Sequence, residues 1–183
     1  MRTSRVASAL AIGLLLGSLA APAAVRAADA VNLELAPSSQ QLADCMPNAS
    51  LKVNVRLTTD KVGFDALEIR ARHLPPNRAF TVFLLEQAGS PFGAAEYIGD
   101  LSTDKHGNGH KTFHLIVQEA FSSTIVNSAR VRSELNRVGV WFADPADDDF
   151  CLGPGGPVTP FDGDNEAGVQ AFNSANADPL PDP

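Results

Sequence analysis

The chain has 183 residues, of which 44% are hydrophobic and 19% charged, and its formal net charge at pH 7 is −7. This length and composition are typical of a single globular domain and exclude fibrous and disordered proteins. The acidic balance argues against a nucleic-acid binder, because neutralising phosphates requires a surplus of Lys and Arg on one face. The 2 cysteines are too few for a Cys-rich zinc site or a disulfide-dense small scaffold.

Residues 1–27 have the pattern of a secretory signal peptide. Arg2 and Arg5 provide the positive start, residues 6–20 form an apolar run, and small residues near Ala27 suit a cleavage site. The apolar run is shorter than the roughly 20 residues that a membrane-spanning helix needs. We therefore expect a secreted or cell-surface-associated protein with no membrane span after cleavage of the signal.

Cys45 and Cys151 are the only cysteines and form the only pair available for a disulfide. Export would place them in an oxidising compartment, where such bonds persist. The alternative, two free thiols of which one is catalytic, has little support, because neither lies in a Cys-x-x-Cys or helix-start context. The sequence therefore predicts a Cys45–Cys151 disulfide.

Strand patterns dominate from residue 50 onward. Apolar and polar residues alternate over 51–57 and again over 67–72, and the run 80–85 is apolar on both faces, as in a central strand. Further strands are predicted at 97–103, 110–117, 138–142 and 168–172, with a hairpin turn over 104–109. These short strands predict an all-β fold, a single antiparallel sandwich of the immunoglobulin or fibronectin type III kind.

Around this predicted sandwich of residues 50–174, we expect an N-terminal extension over 28–49 and a Pro-rich tail over 175–183. Residues 128–137 do not follow the strand pattern. Val131, Leu135 and Val138 are spaced as on a helix, and Ser128 could cap its start. A short helix and an irregular loop both remain open for this segment.

Two resemblances add to this interpretation. The corner Leu74 to Val82 resembles that of fibronectin type III domains, with Phe80 in the place of the corner tyrosine. An uncharacterised family of secreted bacterial proteins is similar to the chain in the motifs Pro91-Phe92-Gly93, Tyr97-Ile98-Gly99-Asp100-Leu101, Thr103-Asp104, Val140-Trp141-Phe142, Thr159-Pro160-Phe161-Asp162-Gly163 and Ala167-Gly168-Val169-Gln170. The second resemblance implies secretion and carries no activity.

Two clusters have metal-binding residue types. Asp162, Asp164 and Glu166 offer the oxygen ligands that calcium prefers, although the spacing is not that of an EF-hand. The alternative is a solvated acidic loop, and we expect no other cofactor.

His106, His110 and His114 would share one face of a helix, but glycines at 107 and 109 favour a turn and strand, on which successive histidines would lie about 13 Å apart. We therefore expect solvent-facing histidines.

The sequence contains no nucleophile elbow or phosphate-binding loop in the predicted domain. Glu86, Glu96 and Asp100 could meet across a loop as hydrolytic carboxylates. Trp141 could pack between the sheets or form an exposed platform for a ligand.

We expect a secreted, non-enzymatic binding or structural module for an unknown extracellular ligand or protein. A carboxylate-dependent hydrolase and a calcium-stabilised adhesion domain are the alternatives.

Acidic residues concentrate at the C-terminal end of the chain. Residues 138–183 contain nine Asp and Glu and no Lys, Arg or His, whereas residues 28–137 are almost neutral. The bases Arg130, Arg132 and Arg137 immediately precede this acidic segment. We expect part of the acidic segment to fold back onto them.

Overall fold

The computed structural model describes residues 30–160 and 165–180, and the predicted signal peptide lies outside them. Ten strands and a few short helical turns make up this part of the chain. The strands are β1 (Ala30–Pro37), β2 (Ser50–Arg56), β3 (Asp65–Arg72), β4 (Ala79–Leu85), β5 (Ala95–Ser102), β6 (Gly109–Leu115), β7 (Phe121–Val126), β8 (Ala129–Glu134), β9 (Arg137–Phe142) and β10 (Gln170–Asn173). The helices are α1 (Gln40–Cys45), α2 (Thr59–Val62) and α3 (Asp149–Leu152), the last preceded by a 3-10 turn over Pro145–Asp148.

Eight strands form one large, nearly closed antiparallel sheet in the order β5-β4-β9-β10-β1-β2-β3-β6. β1 joins the two halves of this sheet, because residues 30–35 pair with β2 while Ala36 and Pro37 pair with β10. The halves lie face to face around the core, and β7 and β8 form a second, small sheet. The prediction of an all-β, sandwich-like fold is confirmed.

The main core lies between the two halves of the large sheet. Residues that alternate along the strands point into it, as the period of two in the sequence predicts. Its largest contributors include Leu33, Leu35, Leu51, Val53, Val55, Leu67, Ile69, Phe80, Val82, Leu84, Val140, Phe142 and Phe172.

Of the segment 28–49, expected as an N-terminal extension, residues 30–49 instead supply part of the domain. Leu33 and Leu35 of β1 are buried in the core and alternate with the exposed residues Asn32 and Glu34. α1 follows, with Ser39 as its N-cap: the Ser39 hydroxyl accepts a hydrogen bond of 3.2 Å from the Leu42 amide. The expectation was wrong because the alternation over 31–35 was not recognised as a strand.

The Pro-rich tail is also packed against the domain, at least as far as Leu180. The Leu180 side chain is buried in the main core, and its amide donates to the Asn136 carbonyl at 2.8 Å. The expected boundary at residue 175 is therefore wrong. A single leucine between prolines carries no periodic pattern from which its burial could be inferred.

Cys45 at the end of α1 and Cys151 in α3 are joined by a disulfide, as predicted. Gln41 reinforces the same contact, because its amide donates to the Cys151 carbonyl at 3.1 Å. The bond closes a loop with a sequence separation of 106 residues. It therefore ties the start of the domain to the segment that follows β9.

The predicted turn over 104–109 connects β5 and β6 as expected, but these strands do not form a paired hairpin. Their backbones pair directly only at a bridge between Thr103 and Gly109 among the described residues, and β5 pairs with β4 whereas β6 pairs with β3. The Asp104 carboxylate stabilises the turn by accepting amide hydrogen bonds from His106 at 2.7 Å and Asn108 at 2.9 Å. The turn is thus the corner at which the chain passes from one half of the sandwich to the other.

The corner that resembles fibronectin type III domains has a buried Phe80, which packs against Phe142 in the core. Phe80 has no hydroxyl with which to bond the corner backbone. The Thr103 hydroxyl does this instead, donating to the Pro75 carbonyl at 2.7 Å and accepting from the Arg78 amide at 3.0 Å. A buried threonine from the neighbouring turn therefore holds this corner.

β7 and β8 form a hairpin, which we call the β7–β8 arm (residues 121–134). Neither the helix nor the irregular loop expected for 128–137 is correct. Asn127 and Ser128 both have positive φ, at 50° and 65°, as a two-residue type I′ turn requires. The helical spacing of Val131, Leu135 and Val138 misled the prediction, because Leu135 and Val138 belong to the core beyond the arm.

Candidate functional site

The outer face of the β4–β9 pair carries apolar side chains where a solvent-facing sheet would carry polar ones. Phe83 and Leu85 of β4 and Trp141 of β9 point away from the main core, since they alternate with the inward residues of the same strands. With Ala167 they form a second buried cluster, against which Phe92 packs. The all-apolar run of β4 was the sequence feature that indicated a covering on both faces.

Two loops cover this outer face. In the loop 86–94, the Ala88 carbonyl accepts a hydrogen bond of 2.9 Å from the buried Gln170 side chain, and the Glu86 carboxylate accepts one of 2.9 Å from the Ala94 amide. The second covering segment is held by a bridge between Thr159 and Ala167 and by the Thr159 hydroxyl, which donates to the Gly168 carbonyl at 2.9 Å. Hydrogen bonds therefore hold the loop 86–94 to β10 and fix the shape of the second covering segment.

The aromatic rings of this cluster meet edge to face. The Trp141 ring lies 5.2 Å from Phe83 and 5.0 Å from Phe92, measured between ring centroids, with interplanar angles of 71° and 73°. This is the arrangement that the ring quadrupoles favour. Beside them is an open cavity of about 320 Å³, which we call the Trp141 pocket, lined by Phe83, Leu85, Phe92, Gly93, Ala95, Trp141, Val158, Thr159 and Pro160.

Trp141 itself is only 3% exposed, so the exposed platform considered from the sequence is not formed. The alternative, a tryptophan between the two sheets, is also wrong, because the ring lies on the outer face beneath the loops. Sequence periodicity places Trp141 opposite to Val140 and Phe142. It cannot show that two distant loops cover that side.

Simple strand alternation would put Tyr97 on the same face as Gly99 and Leu101, but Tyr97 lies on the opposite face. β5 has a bulge at Ile98, since Val82 pairs with Gly99 whereas Phe83 pairs with Tyr97. The Tyr97 ring therefore lies on the outer face, 5.9 Å from the Phe83 ring centroid. Tyr97 extends the aromatic surface beside the Trp141 pocket and is 42% exposed.

The bulge in β5 separates two of the three candidate hydrolytic carboxylates. Glu96 lies opposite Leu84 and Asp100 opposite Thr81, so the bulge places them on opposite faces of β5. The carboxylate of Glu86 is engaged by the Ala94 amide. The hydrolase alternative stays a prediction.

Of the candidate calcium ligands, Asp162 and Asp164 lie outside the described residues, and Glu166 is exposed. Within residues 30–160 and 165–180, no group of three or more His, Cys, Asp or Glu side chains is placed to hold a metal ion. The calcium site therefore stays a prediction.

The three histidines are exposed, as expected. His110 and His114 lie on β6, where the His110 Nε2 atom is 2.7 Å from the Glu68 carboxylate and the His114 ring packs on Phe64. The Glu68 carboxylate also contacts Arg70, and hydrogen bonds from Arg70 and His110 lower its pKa. These residues form a polar network on the outer face of β3 and β6.

The acidic stretch after β9 contains two partly or fully buried carboxyl groups. Burial raises the pKa of Asp148, although the carboxylate accepts a hydrogen bond of 2.9 Å from the Val169 amide. Burial likewise raises the pKa of Asp147, which is ion-paired with Arg78 at 2.8 Å. Asp148 connects the segment before α3 to the strand that follows the second covering loop, so its contacts support the wall of the site.

Within the described part of the C-terminal segment, residues 174 and 177 contact Arg137, one of the three arginines expected to hold it. The Arg137 guanidinium donates to the carbonyls of Ala177 at 2.7 Å and Ser174 at 3.4 Å, so it binds backbone oxygens rather than carboxylates. Among the described residues, Arg130 bonds to Ser123 and Arg132 to Glu134, both within the β7–β8 arm.

None of the helices in the described part of the chain is long and apolar enough to cross a membrane. Comparison of the chain with protein-family models, with curated proteins and with solved structures finds no match.

Proposed function

We propose that this protein is a secreted, non-enzymatic binding module that takes an uncharged apolar group into the Trp141 pocket. One observation carries the proposal: two loops and a strand pair assemble aromatic rings around an open cavity outside the main core. Binding sites are typically concave and apolar with few polar groups, and the cavity volume is at the lower end of their usual range.

The main core does not need these rings, which supports a role in recognition. Residues from every strand of the large sheet already fill the main core. The outer cluster adds Phe92 and Val158, which remain partly open to solvent although they line the cavity. Large apolar side chains that are clustered and still accessible commonly mark a site for a ligand or partner.

The lining restricts the chemistry of the ligand. None of the described residues that line the cavity is charged, and the Thr159 hydroxyl already donates to a backbone carbonyl. A charged ligand would lose its hydration there without gaining a partner. We infer that the pocket accepts one ring or a short branched aliphatic group, either as a small molecule or as a side chain of an extracellular peptide.

Secretion is part of this proposal and is supported by the signal-peptide pattern, by the family resemblance, and by the Cys45–Cys151 disulfide, which is compatible with an extracellular protein. It is tested by expressing the full sequence in a bacterial host and measuring the mass of the exported product. We expect cleavage near Ala27. Retention of residues 1–27 on a cell-associated product would contradict it.

Binding can be measured directly, because Trp141 is the single tryptophan of the chain. We expect its fluorescence to change saturably when cyclohexanol or benzyl alcohol is added, and not with acetate. A tripeptide with a central leucine tests whether a peptide side chain is accepted as well. Phe92→Ala removes one wall of the pocket and should weaken binding of the rings about tenfold or more, as expected for loss of a buried aromatic contact.

Phe150→Ala is the matched control, because Phe150 is an exposed phenylalanine of α3 that does not line the pocket. It should bind the probes like the unmodified protein. The proposal fails if no apolar probe changes the emission, or if the two variants lose binding equally.

A further inference from the structure

The β7–β8 arm is a two-stranded sheet whose strands pair only with each other among the described residues. Most of its side chains are exposed, including the large apolar residues Phe121, Ile125, Val126 and Val131, which are 41% to 66% exposed. A two-stranded hairpin is marginally stable in water, and three or more strands are needed for independent stability. These features suit an arm that gains strands from a partner.

The backbone of β7 is oriented to accept such a partner. The two-residue turn closes on Val126 and Ala129, so the hydrogen-bonded pairs continue with Thr124–Val131 and Ser122–Ser133. The amide and carbonyl groups of Ser123 and Ile125 consequently point away from β8. Neither residue has a backbone hydrogen bond to another described residue beyond the arm.

The side chains distinguish the two edges of the arm. β8 carries Arg130, Arg132 and Glu134, and charged residues on an edge strand discourage further pairing. β7 has the sequence FSSTIV, with no charged residue, no proline and no glycine. Its edge therefore lacks the features that usually protect an exposed strand, and it is the edge that a second strand would join.

We propose that β7 pairs antiparallel with β7 of a second copy of this chain, about a two-fold axis at Ser123. The pairing would place Ser122 opposite Thr124 of the second copy and Phe121 opposite Ile125. An aromatic residue opposite a β-branched residue is a favourable cross-strand pair. The product is a four-stranded sheet, β8-β7-β7-β8, of the isologous kind common in homodimers.

The polar face of β7 makes the register testable. Ser122→Lys/Thr124→Lys would place lysines directly opposite each other in the dimer, as Ser122→Glu/Thr124→Glu would place carboxylates. Each variant should raise the dissociation constant about tenfold or more, and mixing the two should restore a dimer, because opposite charges then face each other. Sedimentation velocity over a range of protein concentrations measures each case.

The matched control is Val131→Lys/Ser133→Lys, which adds the same charge to the same face of the arm but on β8. Val131 and Ser133 are the partners of Thr124 and Ser122 within one hairpin, and they lie away from the proposed axis. This variant should dimerise like the unmodified protein. A weakening equal to that of the β7 variant would overturn the assignment to β7.

Two other outcomes would overturn the proposal. One is an unmodified protein that stays monomeric up to about 1 mM, the weak limit of specific association. The other is a mixture of the two oppositely charged β7 variants that remains monomeric. The result is independent of the Trp141 pocket, because none of the substituted residues lines it.

Discussion

Asp65 shows how a single buried carboxylate organises three segments of the chain. It is 1% exposed and accepts amide hydrogen bonds from Thr58 at 2.7 Å, Thr59 at 2.9 Å and Val117 at 2.9 Å. Burial by itself would raise the pKa of Asp65, but the hydrogen bonds outweigh it, and the pKa is lower than the ordinary value of 3.8. The ionised group therefore stabilises the fold.

Asp65→Asn should lower the free energy of unfolding at pH 7 by about 2 kcal/mol, because hydrogen bonds to a charged acceptor are lost. A depressed pKa means that the stabilisation by Asp65 is present above pH 3.8 and is lost as the pH falls through the folded-state pKa. The difference between the two proteins should therefore shrink below pH 3.8. Urea denaturation at a series of pH values measures it, and a difference that is constant with pH would contradict the prediction.

Gly139 leaves the space that the Trp141 ring occupies. A Cβ atom at this position would lie 2.5 Å from the Trp141 ring, 2.7 Å from Leu85 and 2.8 Å from the Gln170 amide nitrogen. Only glycine leaves room for these three groups, which form or support the wall of the Trp141 pocket. The close approach explains why the central strand β9 contains a residue that is otherwise unfavourable in strands.

Gly139→Ala should destabilise the protein by about 1–3 kcal/mol, as overpacking of a filled site does. It should also shift the emission of Trp141 and weaken binding of cyclohexanol, because the ring must move. Gly89→Ala is the control, since a Cβ atom there meets nothing within 4 Å. Equal urea midpoints and equal probe binding for Gly139→Ala and the unmodified protein would show that the ring is not held in this way.

At the scale of elements, the tip of the β7–β8 arm is held in a conformation that serine adopts at a cost. Ser128→Gly should relieve about 1 kcal/mol of strain, because Ser128 has a φ of 65° and glycine is favoured at the second position of a type I′ turn. Ser128→Val should act in the opposite direction. Amide hydrogen exchange of Thr124 and Val131, measured at low protein concentration, reports the stability of the hairpin. These amides should exchange more slowly in Ser128→Gly and faster in Ser128→Val than in the unmodified protein, and equal exchange rates in all three would contradict the prediction.

The sequence predicts those elements whose pattern is local. The strands over 51–57, 67–72, 80–85 and 138–142 follow from alternation and apolar runs, and the disulfide follows from there being one pair of cysteines. β1 and the arm also had local patterns, an alternation over 31–35 and a two-residue turn at Asn127. The alternation over 31–35 is short and lies outside the run of strands that begins at residue 50. The turn at Asn127 is followed by residues that happen to have helical spacing.

The candidate site was predicted only in part, for a physical reason. Periodicity places Trp141 on the face of β9 opposite to Val140 and Phe142, but it does not show which face points inward. The bulge at Ile98 turns Tyr97 to the outer face, and distant segments supply Phe92 and Thr159. Such contacts depend on how loops fold over a sheet, and the amino-acid pattern of β9 contains no information about them.

For the molecule as a whole, we expect the disulfide to make the largest contribution to the free energy of unfolding that a substitution at one site or pair can remove. It closes a loop with a separation of 106 residues, which the chain-entropy relation converts to about 4–5 kcal/mol. Cys45→Ser/Cys151→Ser should therefore unfold at a much lower urea concentration. The unmodified protein treated with a reductant should match the variant, and an unchanged midpoint in both would contradict the prediction.

The pairing of β1 with β10 has a further consequence, for the order of events when the protein folds. Ala36 lies opposite Asn173, so the first strand gains its second neighbour only when nearly the whole chain is present. Contacts between such distant residues form slowly, because a long loop must close before they gain energy. In a chain exported from its amino terminus, β1, β2 and β3 would emerge early as an incomplete sheet. If the chain is exported as proposed, release of the last strand would allow the sheet to close and the two cysteines to meet, and the protein would fold after export.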